Sequence, residues 1–209
     1  VLTVAVSISS GVAQLVSAFP ALASERVLVS ILMVLFVTMV NLRGVRESGR
    51  LFAIPTYFFV AMMLVTFLVA FARYLAGTLG SVPSPPPMPE GELVPITAFL
   101  ILHAFANGTS ALTGTEAISN GITAFKEPRS RNAGITLIWM SGILGPLFLG
   151  ITLLAVRIGA VPSEAETVIS QLARTVYAGR SVLYLGLVSA TTLILIMAAN
   201  TSFAGFPRL

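Results

Sequence analysis

Apolar residues run through this chain in long, nearly unbroken stretches, and polar residues gather between them. Six stretches reach the length of a bilayer span: 1–19, 21–42, 51–75, 94–124, 133–158 and 181–206. A spanning helix needs about 20 mostly apolar residues. None of the six shows the roughly ten-residue alternating segments of a membrane β-barrel. Lipid offers no partners for open backbone groups, so apolar runs of this length must be helices. Pro20 closes the first stretch. Pro55 falls within the first turns of the third, where a missing N–H is tolerated best. The pattern predicts an all-α membrane protein.

Two of the connections carry their own signals. Residues 76–94 contain Pro83, Pro85, Pro86, Pro87 and Pro89, which predicts an extended, partly rigid loop. After Pro162, the apolar residues Val168, Ile169, Leu172 and Val176 recur at helical spacing opposite Ser170, Gln171 and Arg174. This predicts a short amphipathic helix over about 163–178, lying on one membrane face. Ser163 and Glu166 have the spacing of a capping box at its start.

Composition agrees with the pattern. The chain is 56% hydrophobic and 10% charged, with mean hydropathy +0.95; a soluble domain carries about 25% charged residues. A cytosolic enzyme, a nucleic-acid binder and a secreted disulfide scaffold are thereby excluded. With Cys 0 there is no disulfide, thiolate metal site or cysteine nucleophile. All 8 acids are Glu.

The net charge of +4 is unevenly placed. The connections 43–50 and 125–132, with Arg208, hold Arg43, Arg46, Arg50, Lys126, Arg129 and Arg131 against Glu47 and Glu127. The opposite side balances Arg26, Arg73, Arg157, Arg174 and Arg180 against Glu25, Glu90, Glu92, Glu164 and Glu166. The positive-inside rule then makes the first side cytoplasmic. The chain opens within an apolar run and stops just after another, so the middle part of a longer protein is expected.

The fourth stretch does not fit a bilayer as one rod. A continuous helix over 94–124 would be roughly 46 Å long, against a hydrocarbon core of about 30 Å. Its centre, residues 107–121, is rich in glycine, hydroxyls and amides and holds Glu116. Hydroxyls compete for backbone groups and glycine weakens helix, so a break is expected there. Broken helices with exposed carbonyls form ion and substrate sites in many secondary transporters.

A carboxylate near mid-bilayer must be protonated, bind a cation or face water, and switching between these states is what proton coupling requires. A permanently protonated Glu116 bonded to a neighbouring helix is the plainer alternative. Thr113, three residues earlier, can reach the same side as Glu116 or bond back to a carbonyl of its own helix. In the first stretch, Thr3, Ser7 and Ser10-Gly11 form a narrow polar stripe. Such a stripe serves ion ligation or close helix packing. His103 reads as a satisfied buried or interfacial histidine and Trp139 as an interface anchor. Asn200-Thr201-Ser202 is a second polar cluster, with helix packing its plainer role.

Three motifs carry a resemblance to a known family: Asn41-Leu-Arg-Gly-Val-Arg-Glu-Ser-Gly49; Gly114-Thr-Glu-Ala-Ile-Ser-Asn-Gly121 with the following Ala124-Phe-Lys-Glu-Pro128 and Asn132-Ala133; and the closing 199–209. Together they resemble the APC superfamily of permeases and, within it, the KimA-like branch of the KUP potassium-uptake transporters. The resemblance implies a LeuT-like fold of two inverted five-helix repeats. The six spans would be its third to eighth helices, with the fourth span its discontinuous helix. It further implies a potassium-binding and proton-coupling site drawing on Thr3, Ser7, Thr113 and Glu116. Thr201 and Ser202 match hydroxyls that hold sodium in sodium-coupled relatives. An Asp just before the Thr3 position and groups on the first helix, which the family also uses, are absent from this sequence.

The reading is a secondary active transporter importing potassium, coupled to protons, by alternating access. No catalytic residue, cofactor or metal beyond the monovalent cation is expected; potassium and protons are substrates. The expected partners are the lipid bilayer and the remainder of its own chain, namely the first two and last helices and a cytoplasmic regulatory domain. A homodimer is also considered, and no nucleic acid. The rival within the fold is a proton-coupled amino-acid or amine permease. An intramembrane enzyme is disfavoured, since Gly-x-Ser-x-Gly and His-Glu-x-x-His arrangements are lacking. A passive channel would differ in showing no ion-gradient coupling.

Overall fold

The computed structural model describes residues 2–42, 49–86, 95–108, 114, 118–119 and 121–205. Among these, the chain is all-helical and has no strand. Seven α-helices follow in order. They are α1 (Leu2–Ala18), α2 (Arg26–Leu42), α3 (Gly49–Leu75), α4 (Ala98–Gly108), α5 (Arg129–Ile158), α6 (Val168–Val176) and α7 (Val182–Gly205). Short 3₁₀ turns occupy Pro20–Leu22 and Ile122–Ala124.

Several bounds differ from the sequence expectation for stated reasons. Pro20 opens a 3₁₀ turn, and Ala23 N–H closes on the Pro20 carbonyl at 3.0 Å, so α2 begins at Arg26 rather than at 21. At the other end of the long fourth stretch, Gly121 is a turn residue and Phe125 is extended, so 121–125 is not α-helix. The expected break itself falls largely outside the described residues. Helix α5 starts at Arg129, earlier than 133, because the residues after Pro128 already bond helically: Asn132 N–H reaches the Pro128 carbonyl at 3.1 Å.

Among the described residues three helices have the length and composition to cross a membrane: Ala53–Leu75, Arg129–Ile158 and Val182–Thr201. Thr3–Ala18 and Arg26–Leu42 are apolar but shorter. Large apolar side chains stand exposed along these helices, among them Val27 and Phe36 on α2, Tyr57 and Leu68 on α3, and Ile138 and Val156 on α5. A helix whose outer face is this apolar belongs against lipid or other apolar helices, not water. This is a membrane protein.

The contacts divide the chain into two compact units, Val1–Met88 with Ile151–Leu209, and Pro89–Gly150. The first unit is organised around α7, which packs against α1, α2, α3 and α6. Its largest seam joins α1 and α7. In lipid, helices gain little from hiding apolar surface and associate through close packing of small residues. Gly11 faces this seam: a Cβ there would sit at ordinary contact distance, 3.6 Å from Leu195 Cβ and 3.8 Å from the Thr192 carbonyl oxygen. Beside this line, Ile8, Val12 and Val16 cluster with Ala199, and Val29 and Met33 of α2 close over them. A second cluster of Val82, Ile158 and Leu172 seats α6 on the loop after α3 and on the end of α5.

The second unit holds α4, the Ile122–Ala124 turn and α5 as far as Gly150. His103 is exposed there, not buried, with its ring centroid 6.0 Å from that of Phe99 one turn away. Trp139 is exposed.

Candidate functional site

The candidate site starts from α1. Residues 3, 7, 11, 14 and 18 follow one another at four- and three-residue steps and so share one side of the helix. They are Thr3, Ser7, Gly11, Gln14 and Ala18. Gly11 meets α7, and Ser7, Gln14 and Ala18 are buried; Thr3, at the start of the line, is exposed. Ser10 is exposed too, so the polar stripe that enters the seam runs through Ser7 and not through Ser10.

The other predicted ligands are divided. Thr113 and Glu116 lie outside the described residues. Thr201 sits in the last turns of α7, is exposed, and donates to the Met197 carbonyl at 3.1 Å. Its hydroxyl is thus engaged within its own helix, the ordinary behaviour of a threonine in an apolar helix. Ser202 belongs to α7, and its side chain lies outside the described residues. Asn200, beside them, accepts from Asn41 Nδ2 at 2.7 Å and so ties α7 to α2. Among the described residues no group of His, Cys, Asp and Glu could hold a metal ion.

At the far end of the same seam lies a buried polar network that sequence reasoning passed over. Thr167, not Ser163, caps α6: its hydroxyl accepts from Ser170 N–H at 3.2 Å. Ser163 instead accepts from Ala165 N–H at 3.1 Å, in a turn of its own. Glu166 does not reach back to Ser163. Its carboxylate takes a forked pair of bonds from Arg174, at 3.1 and 2.9 Å, and a third from the Ser170 hydroxyl at 2.9 Å. A forked guanidinium–carboxylate pair is among the stronger polar contacts. Here both side chains are largely shielded, 18% and 13% exposed.

This network fastens α6 to three helices. The Thr167 N–H donates to Ser17 Oγ of α1 at 2.9 Å, and its hydroxyl donates to Gln14 Oε1. Tyr184 of α7, fully buried, bonds Ser170 at 2.8 Å and the Ser17 carbonyl at 3.3 Å. From α3, Arg73 donates to the Thr175 and Val176 carbonyls at 2.9 and 2.8 Å, and Thr66 shares a 2.7 Å bond with Tyr177. Carbonyls at a helix C-terminus lack intrahelical partners and carry partial negative charge, so a guanidinium there is favourable twice over. Gln171, entirely buried, closes the preceding loop by bonding both the N–H and the carbonyl of Val161. The signal that could have found this end was the continuation of the Ser7–Gly11 step to Gln14, one polar residue in an apolar run.

Two buried polar atoms on the facing helices have no partner among the described residues, Gln14 Nε2 on α1 and Thr192 Oγ1 on α7. Polar character therefore extends along the seam from Ser7 to Ser17.

Comparison with known proteins follows the same lines. The chain is 46% identical over 209 residues, its whole length, to the potassium transporter KimA of Bacillus subtilis (strain 168). It spans 34% of that relative. The family model described as amino acid permease matches residues 1–209. With an all-helical apolar architecture and a full-length match, the chain belongs to the amino acid permease family.

Proposed function

We propose that the full-length protein is a secondary active transporter that imports potassium, coupled to protons, by alternating access. The observation that carries this reading is the 46% identity of the whole chain to a potassium transporter. Thr3, Ser7, Thr113 and Glu116 supply oxygens that replace part of the ion's hydration shell. Protonation of Glu116 competes with cation binding, which couples the two fluxes through one carboxylate. In many secondary transporters broken helices offer backbone carbonyls to the ion, and rocking of the helix bundle alternates access. The burial of Ser7, one turn from Gly11 on the side of α1 that meets α7, supports this, because it puts a hydroxyl inside the packed helices.

In this reading the protein is a multi-pass protein of the cell membrane, with 43–50 and 125–132 cytoplasmic and α6 on the outer face. The bilayer and the remaining helices of its own chain complete it. Thr201 and Ser202 form a second cation site of lesser weight, since Thr201 is already bonded within its helix.

The test is uptake by the full-length protein in proteoliposomes, comparing wild type with Glu116→Gln. Potassium uptake falls to the level of empty vesicles, and its dependence on the proton gradient disappears. Unchanged uptake with unchanged proton dependence would overturn the assignment. A second reading, a proton-coupled amino-acid or amine permease, is favoured by the description of the matching family. Competition against labelled potassium or rubidium by a panel of amino acids and amines separates the two.

A further inference from the structure

At the α6 end of the first unit a cleft of about 360 Å³ opens between the end of α3, the loop after it and the C-terminus of α6. Two guanidiniums line it, Arg73 and Arg174, together with the hydroxyl residues Thr78 and Ser81 and the glycines Gly80 and Gly179. Among the described residues no carboxylate lines it. The only acid bonded to either arginine among the described residues is Glu166, which pairs with Arg174. Among the described residues Arg73 is bonded to carbonyl oxygens alone, those of Thr175, Val176 and Thr78 at 2.9, 2.8 and 2.7 Å.

Donor accounting sharpens the point. A guanidinium has five N–H donors. Arg73 spends both on Nη1 and one on Nη2. Arg174 spends Nε–H and one on Nη2 on Glu166, and one on Nη1 on the Pro83 carbonyl at 2.6 Å. Among the described residues three bonds hold each arginine in place, and two N–H groups of each have no partner. The turn beneath them is tight, with Ala178 and Gly179 at φ 55 and 133 and Gly179 N–H closing on the Arg174 carbonyl at 2.8 Å. A fixed pair of guanidiniums with spare donors, flanked by hydroxyls, is the arrangement that recognises a tetrahedral oxyanion.

We propose that this cleft binds a phosphate group, either inorganic phosphate or the phosphodiester of an anionic lipid. Arg73 and Arg174 donate to its oxygens, and Ser81 and Thr78 close the rim. The cleft sits at the last turn of a membrane helix, where lipid headgroups lie, and it is separate from the α1 line proposed for cation transport. The proposal stands whether or not potassium is the substrate.

The experiment uses the full-length protein in a non-ionic, phosphate-free detergent. Thermal unfolding is followed against inorganic phosphate, with chloride at matched ionic strength as control. Retention of phosphatidylglycerol is measured in parallel by native mass spectrometry. The discriminating variant is Ser81→Glu, on an exposed loop, which puts a carboxylate in the cleft and leaves the bonds that hold α6 intact. A saturable stabilisation by phosphate, lost in the variant, identifies a free anion as ligand. Phosphatidylglycerol retained by wild type and weakened about tenfold or more in the variant identifies a lipid. No binding in either arm, or equal binding by wild type and variant, overturns the proposal.

Discussion

The two ends of the α1–α7 seam use polar residues in opposite ways. At the α6 end, Ser17, Thr167, Ser170 and Tyr184 are bonded to one another across three helices. At the other end, Ser7 and Gly11 are small groups that let two helices approach, with Thr3 exposed beyond them. A densely bonded network resists rearrangement because opening it strands buried donors and acceptors. A seam of small residues is held by contact alone and can slide. The contrast teaches that polarity inside a membrane protein is not one signal: it marks anchorage where it is satisfied by protein and a candidate passage where it is left to other ligands.

The contrast can be broken most severely at its anchored end. Arg174→Met leaves the shielded Glu166 carboxylate without its cation. It should destabilise the full-length protein by about 3 kcal/mol, read as a lower midpoint in thermal or denaturant unfolding. Next comes the seam itself. Gly11→Leu forces a branched side chain against Leu195 and should cost about 2 kcal/mol. Gly11→Ala, whose Cβ finds ordinary contact distances, should be nearly neutral; equal damage from both would show that the helices approach more closely at Gly11 than these distances allow. Thr167→Ala removes the cap of α6 and its bond to Gln14, at about 1 kcal/mol. The smallest effect is expected from Thr201→Val, which replaces an intrahelical bond and should change stability by less than about 0.5 kcal/mol. If that variant abolishes transport while the protein stays folded, Thr201 is a ligand after all and the second cation site gains the weight now withheld from it.

Much of this was legible in the chain because hydropathy and proline speak about neighbours in sequence. The helical class and the stop at Pro20 follow from such local rules, whereas Ser170 and Gln171, expected on the polar face of the helix at 168–176, are buried among bonded partners. What failed was competition between partners distant in sequence. Ser163 and Glu166 have capping-box spacing, yet Glu166 is taken by Arg174 and the cap passes to Thr167. Spacing cannot reveal this, because the arginine wins by offering a forked ionic bond that a lone backbone N–H cannot match. Gln14 was missed for a related reason: one amide in an apolar helix looks incidental until the helix it faces is known. Thr3 and Ser7 stand out in the sequence through the same stripe, of which the structure buries Ser7. Thr113 and Glu116 rest on sequence alone.

Helix α6 is only nine residues long, but its two ends are fixed to different neighbours. Its beginning is bonded to Ser17 and Gln14 of α1, and its finish to Arg73 of α3. It therefore works as a crossbar that sets the spacing of two uprights. Any lateral drift of one upright must tear bonds at one tip of the bar, so α1, α3 and α6 should travel as a single frame whenever the protein changes shape.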